Sequence, residues 1–395
     1  MATSDSPFLL FKVECPICKT INEFETIRVG AYAEEGRDTD FCPLNVKWRF
    51  PRYQGYNPLV FFTATCSNCF YSREFSTSYK DWKNDVQYKT YRLKTVKGKH
   101  LDELATADSV IKQLGMAIDT SRYPNESAIL KLHLAIYDEQ LADHCSKLDM
   151  GRFYLRISWV YRDTSTGENP SIMLLSGLIS ELENEHRRTQ SSLQESLTRV
   201  TDLAARVNAH FDSSQLSADL KSQMLQFRDR HNSALKELHA QVTTAQRTVE
   251  EFGSLIGEYR QSVLGGGQEG GASAFGTYPS FADFLQSLKR LWSGIAVNER
   301  EALEKAVYYY KEAFANGRDI APGNQQIQAS YLIAELSRRI GDYDEAKQYF
   351  TSTIKSGQEF IYQNRQDSSR IALAKKILEL AIEQGRQNLA AARPA

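Results

Sequence analysis

Cys15-Pro-Ile-Cys18 and Cys66-Ser-Asn-Cys69 are the stretches that decide the fold of the first part of this chain, and 47 residues separate them. Two residues between the cysteines of a pair allow one tight turn to aim both thiolates at a single ion, and two such turns complete the tetrahedron that zinc accepts. Four protein ligands leave no position for water or substrate. The pattern therefore predicts a structural zinc site formed by Cys15, Cys18, Cys66 and Cys69, with iron on the same thiolates as the alternative.

Strand-like segments surround the two cysteine pairs. They are rich in Phe, Val, Ile and Thr, which are enriched in β-strands. We predict a small β-rich zinc module over residues 9–76, in which the free energy of metal binding stabilises strands that have little apolar core of their own. The predicted strands cover residues 11–14, 23–29, 46–50 and 59–65.

Length and charge limit the other possibilities. The 395 residues are enough for two or three domains with separate cores. The 48 Lys and Arg residues balance 49 Asp and Glu residues, so the whole chain lacks the basic character typical of nucleic-acid-binding proteins. Its start lacks the features of a signal peptide, and no apolar run approaches the roughly 18 residues that a membrane-spanning helix needs. With six sparse cysteines, this pattern predicts a cytoplasmic protein.

Helical spacing of apolar residues begins near residue 100. Residues 77–163 are predicted to form a basic connector and the first helices of a repeat array. Residues 164–264 contain two apolar seams whose intervals alternate between four and three, as in a coiled coil. The seams differ in phase, and Asp212, Ser213 and Ser214 between them are common helix N-cap residues. We predict an inserted antiparallel coiled-coil hairpin, with one continuous helix or a parallel dimer as the alternatives.

A Gly-rich stretch and a second helical region complete the chain. Residues 265–298 are predicted to be a flexible linker followed by a short helix. Residues 299–386 return to helical spacing with Gly and Pro at the turns, and residues 387–395 are predicted to be a flexible tail. The predicted fold class is α+β, predominantly α.

The second helical region has the alternation of small and large residues that helical repeats use. Ala334 and Ala346 lie among Tyr331, Tyr343 and Phe350, a pattern that lets two short antiparallel helices pack closely. We predict a tetratricopeptide-like body, with ordinary helical-bundle packing as the alternative.

Few residues offer chemistry beyond the cysteine pairs. The seven histidines form no metal-binding or catalytic motif, and no nucleotide-binding glycine motif or nucleophile elbow occurs. Arg37, Asp38 and Asp40 form a cluster that could serve acid-base chemistry, although a turn with an internal ion pair explains it more simply. Buried apolar packing likewise explains Cys42 and Cys145 more simply than a ligand or nucleophile role.

Residues 80–99 combine basic and aromatic side chains. Seven Lys or Arg residues face only two aspartates, and Trp82, Tyr88 and Tyr91 lie among them. This composition is compatible with a surface for single-stranded nucleic acid. A solvated amphipathic connection into the helices is the simpler interpretation because the chain as a whole is not basic.

The order of the N-terminal motifs resembles a bacterial family grouped as domain of unknown function 2225. Four segments carry the resemblance: Cys15-Pro-Ile-Cys18, Arg37-Asp-Thr-Asp-Phe-Cys42, Tyr56-Asn-Pro58 and Cys66-Ser-Asn-Cys69-Phe-Tyr71. The helical segments GRFYLRISWVYRD (residues 151–163) and LIAELSRRIGDYDEAKQYF (residues 332–350) are also similar to that family's helices and to tetratricopeptide repeats.

This resemblance covers residues 10–163 and 299–386. It implies a metal-binding head on a helical-repeat body in a bacterial cytoplasm, and the family has no established activity. Two departures stand out. Lys19 and Phe70 occupy positions where knuckles of this kind often have Gly, and residues 164–298 are expected to be absent from typical members.

Two classes of function fit these features. We predict a non-catalytic zinc-stabilised scaffold or adaptor that binds protein partners through the helical repeats and the coiled coil. The alternative is a nucleic-acid-binding protein or an enzyme that uses Arg37, Asp38 and Asp40 together with the basic residues 80–99. The sequence leaves the partner and the oligomeric state open.

Overall fold

The computed structural model describes residues 6–50, 53, 56–86, 88–166, 170–213, 218–263, 275, 278 and 280–392. This part of the chain is mostly helical and has small antiparallel sheets near the N-terminus, which confirms the predicted fold class. The chain divides into two compact units, Met1–Glu168 with Ala272–Ala395, and Asn169–Gly271. None of the helices in the described residues has the length and apolar character that crossing a membrane requires.

Three two-stranded antiparallel sheets form the N-terminal module. The strands are β1 (Phe8–Glu14), β2 (Ile21–Ile27), β3 (Tyr32–Glu34), β4 (Val46–Trp48), β5 (Thr63–Thr65) and β6 (Ser72–Glu74). They pair in chain order as β1 with β2, β3 with β4 and β5 with β6. The turn between β1 and β2 contains the first cysteine pair, and the turn between β5 and β6 contains the second.

The predicted strand over residues 59–65 is wrong in its first half. Pro58–Phe61 forms a 3-10 turn, because Asn57 caps it by accepting a hydrogen bond from the Leu59 amide at 2.9 Å and Pro58 favours the first helical position. Only Thr63–Thr65 is extended. The apolar content of the segment therefore predicted burial correctly but not its backbone conformation.

Twelve helices lie in the described residues, and one π-helical turn (Tyr88–Leu93) leads into the second of them. They are α1 (Thr77–Lys80), α2 (Lys94–Ala105), α3 (Val110–Met116), α4 (Pro124–Gln140), α5 (Lys147–Thr166), α6 (Pro170–Ser213), α7 (Ala218–Val263), α8 (Phe281–Leu291), α9 (Glu299–Asn316), α10 (Asn324–Ile340), α11 (Tyr343–Gln363) and α12 (Ser368–Ala391).

Helices α5 and α9 pack antiparallel in the centre of the larger unit. The rings of Tyr154 and Tyr309 stack with centroids 5.5 Å apart, and a Cβ on Gly151 would lie 3.1 Å from the Tyr310 ring, so this position favours glycine. At the other end of the pair, Arg162 Nε lies 2.8 Å from a carboxylate oxygen of Glu299. The C-terminal end of α5 therefore lies beside the start of α9.

Helices α10 and α11 pack through the alternating small and large residues. Ala334 and Ala346 are fully buried, and the rings of Tyr331 and Phe350 lie 6.2 Å apart. Gly341 ends α10 with a positive φ of 91°, a conformation that glycine adopts without strain. This close helix pair is the geometry that the sequence pattern predicts.

Helix α12 extends five residues beyond the predicted end of the helical region at residue 386 and includes residues 387–391 of the predicted tail. The buried side chain of Asn388 donates a hydrogen bond to the carbonyl oxygen of Tyr343 at 2.8 Å. This contact attaches the last turn of α12 to the start of α11. Residues 393–395 of the predicted tail lie outside the described residues.

In the smaller unit α6 and α7 lie antiparallel. The side chains of Asn208 and Asn232 hydrogen-bond at 3.2 Å, and those of Gln194 and Gln246 at 3.0 Å. Residues 214–217, where the sequence predicts part of the turn, and residues 265–274, most of the predicted linker, lie outside the described residues. The antiparallel contacts agree with a helix that ends and returns, and not with one continuous helix.

Candidate metal centre

The two C-x-x-C segments form turns of the same construction. In the first turn the Cys15 amide donates to the carbonyl of Thr20 at 2.8 Å, and the Lys19 amide donates to the carbonyl of Cys15 at 3.1 Å. The equivalent hydrogen bonds of Cys66 and Phe70 in the second turn both measure 3.0 Å. Each β-hairpin therefore presents its two cysteines in the same way.

The four sulphur atoms form one cluster. All four Sγ atoms lie within 4.8 Å of one another, with Cys15 and Cys69 at 3.6 Å and Cys18 and Cys66 at 3.5 Å. A disulfide would need a distance of about 2.05 Å, whereas a tetrahedral ion with metal–sulphur bonds of ~2.3 Å places its ligands about 3.8 Å apart. The donor set therefore fits a tetrahedral thiolate-binding ion.

Burial and hydrogen bonding distribute protons unevenly within the cluster. Hydrogen bonds from the thiols of Cys15 and Cys69 lower the pKa of Cys66, which also accepts hydrogen bonds from the Asn22 side chain and the Asn68 amide, both at 3.5 Å. The hydrogen bond to Cys66 raises the pKa of Cys15 to about 12. Four thiolates cannot accumulate in this buried volume without a cation, so binding of a divalent ion would release protons.

Lys19 and Phe70, the residues after each knuckle, adopt the left-handed backbone conformation, with φ of 69° and 62°. This conformation explains why glycine is favoured at such positions. In this chain each side chain makes contacts that a glycine would lack. The ammonium group of Lys19 lies 4.1 Å from the ring centroid of Trp82 and 3.3 Å from the carbonyl oxygen of Pro16. The ring of Phe70 lies against Gly115 of α3.

Gly115→Ala is expected to destabilise the protein by roughly 1–3 kcal/mol through overpacking. The added Cβ would lie 2.0 Å from the Phe70 ring, which the backbone of the second knuckle holds in place. Gly98→Ala in α2 is the matched control, because no atom lies within 4 Å of its added Cβ. Urea unfolding of both variants measures the difference, and equal midpoints would contradict the proposed contact.

A buried histidine links the second knuckle to the helical body. His100 of α2 places Nε2 at 2.9 Å from the carbonyl oxygen of Cys69 and Nδ1 at 2.6 Å from Asp138 of α4. The other carboxylate oxygen of Asp138 accepts a hydrogen bond from the Ser72 amide at 2.7 Å. Because a carbonyl oxygen only accepts, Nε2 carries a hydrogen, and the proton at Nδ1 is shared with the carboxylate. These bonds fix the orientation of the knuckle relative to α2 and α4.

The charged cluster of residues 37–40 is not an internal ion pair of one turn. Arg37 pairs with Glu34 at 2.8 Å and is 60% exposed, whereas Asp38 and Asp40 pair with other arginines. Arg162 of α5 lies 3.0 Å from Asp38 and 2.8 Å from Asp40, and Arg339 of α10 lies 2.8 Å from Asp38. Asp40 is completely buried. The two carboxylates therefore join the N-terminal module to two helices of the body.

Neutral contacts support this joint. The hydroxyl of Tyr331 donates to the carbonyl oxygen of Thr39 at 2.8 Å, and the hydroxyl of Thr39 donates to Glu335 at 2.6 Å. Although burial acts to raise the pKa of Asp38, the hydrogen bond from the Thr39 amide and the charge of Arg339 hold this pKa below its usual value. Carboxylates held by guanidinium groups in this way are poor general bases.

The basic stretch of residues 80–99 turns its described aromatic rings inwards. Trp82 and Tyr88 are buried, and the indole nitrogen of Trp82 donates to the carbonyl oxygen of Glu14 at 2.7 Å. Lys83 pairs with Glu14 at 2.7 Å, and Arg92 pairs with Glu139. The side chain of Tyr91 lies outside the described residues. Rings buried in this core cannot stack on the bases of a nucleic acid.

The two remaining cysteines lie apart from the sulphur cluster. Cys42 is buried, and burial raises the pKa of its thiol to about 12, as expected for a packed side chain rather than a nucleophile. Cys145 is only partly buried, but it packs against the main apolar cluster, in keeping with the predicted packing role. It lies in the segment between α4 and α5.

Comparison with protein families gives one assignment. The family described as an uncharacterised protein conserved in bacteria, DUF2225, matches residues 10–242 and 290–373. The chain belongs to this family. The match includes residues 164–242, so the expectation that typical DUF2225 members lack all of residues 164–298 is not supported for that part. Searches of curated proteins and of solved structures found no match to the chain.

Within this DUF2225 chain, sequence reasoning found the four clustered cysteines but missed the residues that hold the cluster in place. Nothing in the sequence paired His100 with Asp138, because helix-face histidines usually need no special explanation. The nearby residues Lys99, Asp102 and Glu103 are charged, so the sequence offered no signal for a buried histidine. The pairing of Asp40 with Arg162 was also missed, since 122 residues separate the two.

Proposed function

We propose that the protein is a non-catalytic scaffold or adaptor, with an N-terminal module stabilised by a structural zinc ion and helices that bind a protein partner. Zinc is the commonest ion on four cysteines, and such a set leaves no coordination position for a substrate. The sulphur cluster lies in the core of the module beside buried aromatic residues. A closed, buried site of this kind supports a structural role for the ion.

Two observations support the scaffold role most strongly. The acidic residues that could act in catalysis are held in ion pairs, and apolar residues are exposed on the surface of the body. Asp38 and Asp40, the candidates for acid-base chemistry, already pair with Arg162 and Arg339. Tyr362 at the end of α11 is 74% exposed, and Leu373 near the start of α12 is also exposed. Only residues 364–367 separate these helices, so the two side chains lie at the same end of the pair. We assign the partner-binding surface of the body to this end.

The loop of residues 37–40 restricts where such a partner can bind. The loop around Thr39 lies against α5 and α10. Arg162, Tyr331 and Arg339 of these helices donate hydrogen bonds to the loop. That part of the repeat surface is therefore already covered. The exposed end of the α11–α12 pair is the alternative surface that the fold provides.

The proposal is tested by affinity capture from cells of the native bacterium with the full-length protein as bait. We expect to capture a protein partner with the wild-type bait and to lose it with the double variant Tyr362→Ser and Leu373→Ser. Val29→Ser is the control, because Val29 is a fully exposed apolar residue on the N-terminal module, and this variant should retain the partner. A partner that binds all three baits equally would contradict the assigned surface.

The competing nucleic-acid hypothesis has its own readout in the same preparation. We expect an absorbance ratio at 260 and 280 nm typical of pure protein. Copurified nucleic acid, together with sub-micromolar binding of a single-stranded oligonucleotide that is lost in Lys89→Ala, Arg92→Ala and Lys94→Ala, would reject the scaffold role. Phosphate contacts dominate such binding, so the titration is performed at physiological salt.

A further inference from the structure

The hairpin of α6 and α7 has two chemically different sides. We label its seam positions a and d, so that Leu197 is an a position and Val200 a d position of α6, and Leu235 and Leu238 are the a and d positions of α7. The other letters follow in the order of the seven-residue repeat. In an antiparallel pair the e positions of both helices lie on one side of the seam, and the g positions lie on the other.

The e side is polar and closed by hydrogen bonds. Gln194 bonds to Gln246 and Asn208 bonds to Asn232 across the hairpin, and all four residues occupy e positions. These bonds also fix the register of the two helices. Each exposed apolar residue therefore has a defined side and a defined place along the hairpin.

The g side lacks Asp, Glu, Lys and Arg residues and carries several exposed apolar side chains. Coiled coils commonly carry Glu and Lys at g positions. Here no Asp, Glu, Lys or Arg occupies a g position between residues 182 and 255. Four exposed leucines and Phe227 occupy g positions, and two exposed side chains occupy the neighbouring d positions. We call these seven residues the g-side stripe: Leu182, Leu203, Leu220, Phe227, Leu238, Phe252 and Leu255, which are between 42% and 61% exposed.

Charged residues border the g-side stripe in an ordered way. They occupy c positions, which lie one turn from the g positions on the outer surface. Those near the open end of the hairpin are acidic, and those towards the turn are basic, with Glu237 as the exception. The acidic group consists of Glu185, Glu251 and Glu258, and the basic group consists of Arg199, Arg206 and Arg230.

Ion pairs within one helix neutralise these bordering charges only weakly. Glu185 pairs with Arg188 and Arg199 pairs with Glu195, but each of these side chains is at least 67% exposed. Exposed pairs at this spacing contribute only about 0.3–0.5 kcal/mol. The bordering charges therefore remain available to a second molecule that covers the stripe.

We propose that a second copy of the chain covers the g-side stripe, so that two hairpins form an antiparallel four-helix bundle. With the hairpins in opposite directions, the acidic end of each faces the basic half of the other. With the hairpins in the same direction, like charges would face each other. The contact is self-complementary about a two-fold axis, as expected for a homodimer. This inference concerns self-association and does not depend on the proposed partner of the body.

Sedimentation equilibrium of the full-length protein tests the proposal. We expect a concentration-dependent dimer, and we expect Leu203→Glu with Leu255→Glu to weaken it by at least about tenfold, because two buried leucines become charged. Leu225→Glu is the matched control, since Leu225 is 41% exposed but occupies an e position. Far-UV circular dichroism verifies that all variants retain their helices.

Charge exchange tests the direction of the two hairpins. Arg199→Glu with Arg206→Glu gives one variant, and Glu251→Arg with Glu258→Arg gives a second. Each variant alone places like charges opposite each other and should be monomeric, whereas an equimolar mixture should form a heterodimer. A monomeric wild type, an unaffected g-side variant, or a mixture that does not associate would overturn the proposal.

Discussion

Cys15→Ser combined with Cys66→Ser is expected to abolish metal binding and unfold the N-terminal module. Each substitution removes one ligand from a different hairpin, so neither β1–β2 nor β5–β6 retains a complete cysteine pair. Structural zinc binding releases about 10–16 kcal/mol in small zinc domains, which matches or exceeds the ~5–15 kcal/mol stability of a typical protein. Metal analysis should give one ion per wild-type chain and none in the variant.

Hydrogen exchange locates the damage from this variant. Amides of β1 and β2 should lose protection, whereas those of α10 and α11, which have a separate apolar cluster, should keep most of theirs. Cys145→Ser is the matched control because it changes a cysteine outside the sulphur cluster. Wild-type protein without metal, or unchanged protection in the double variant, would contradict a structural ion. The same metal analysis distinguishes zinc from iron.

The sequence predicted the elements whose causes are local. A C-x-x-C turn places its own two sulphurs, and the alternation of Ala334 and Ala346 with larger residues is visible within one helix pair. The antiparallel hairpin also followed from a local phase change near Asp212. In each of these features the interacting residues are close in the chain, or their spacing repeats.

The parts that the sequence did not predict depend on distant contacts. The aromatic residues of the basic stretch could equally face solvent, and only the packing of Trp82 and Tyr88 around the cysteines decides that they are buried. Similarly, Asp38 and Asp40 lie close to Arg37 in sequence but pair with Arg162 and Arg339. Ion pairing is non-directional along the chain, so local spacing cannot choose between these partners.

The pH dependence of unfolding tests the contact of Asp38 with Arg162 and Arg339. Because Arg339 and Arg162 help to hold the folded pKa of Asp38 below its unfolded value, the ionised carboxylate stabilises the fold fully above an unfolded pKa of about 3.9. This contribution is lost as the pH falls through the lower folded pKa. In Arg162→Ala the folded pKa should rise, so the loss of stability on acidification should be smaller than in the wild type.

Arg162→Ala itself is expected to destabilise the larger unit by about 3–5 kcal/mol, because it leaves the carboxylate of a completely buried aspartate without its closest cation. Arg162 Nη2 lies 2.8 Å from Asp40, whereas the remaining cation, on Arg339, lies 3.9 Å away. Urea unfolding measures the loss. Arg37→Ala is the matched control from the same loop, and its exposed pair with Glu34 should contribute less than about 1 kcal/mol.

A double-mutant cycle separates the ion pair from the loss of arginine packing. Asp40→Asn removes the buried charge, so in that background Arg162→Ala should cost much less than in the wild type, and the two effects should not add. If instead the two losses added, Arg162 would act through its contacts with Glu299 and Asp38 alone. The module and the body would then be joined mainly through Asp38, which contacts both Arg162 and Arg339.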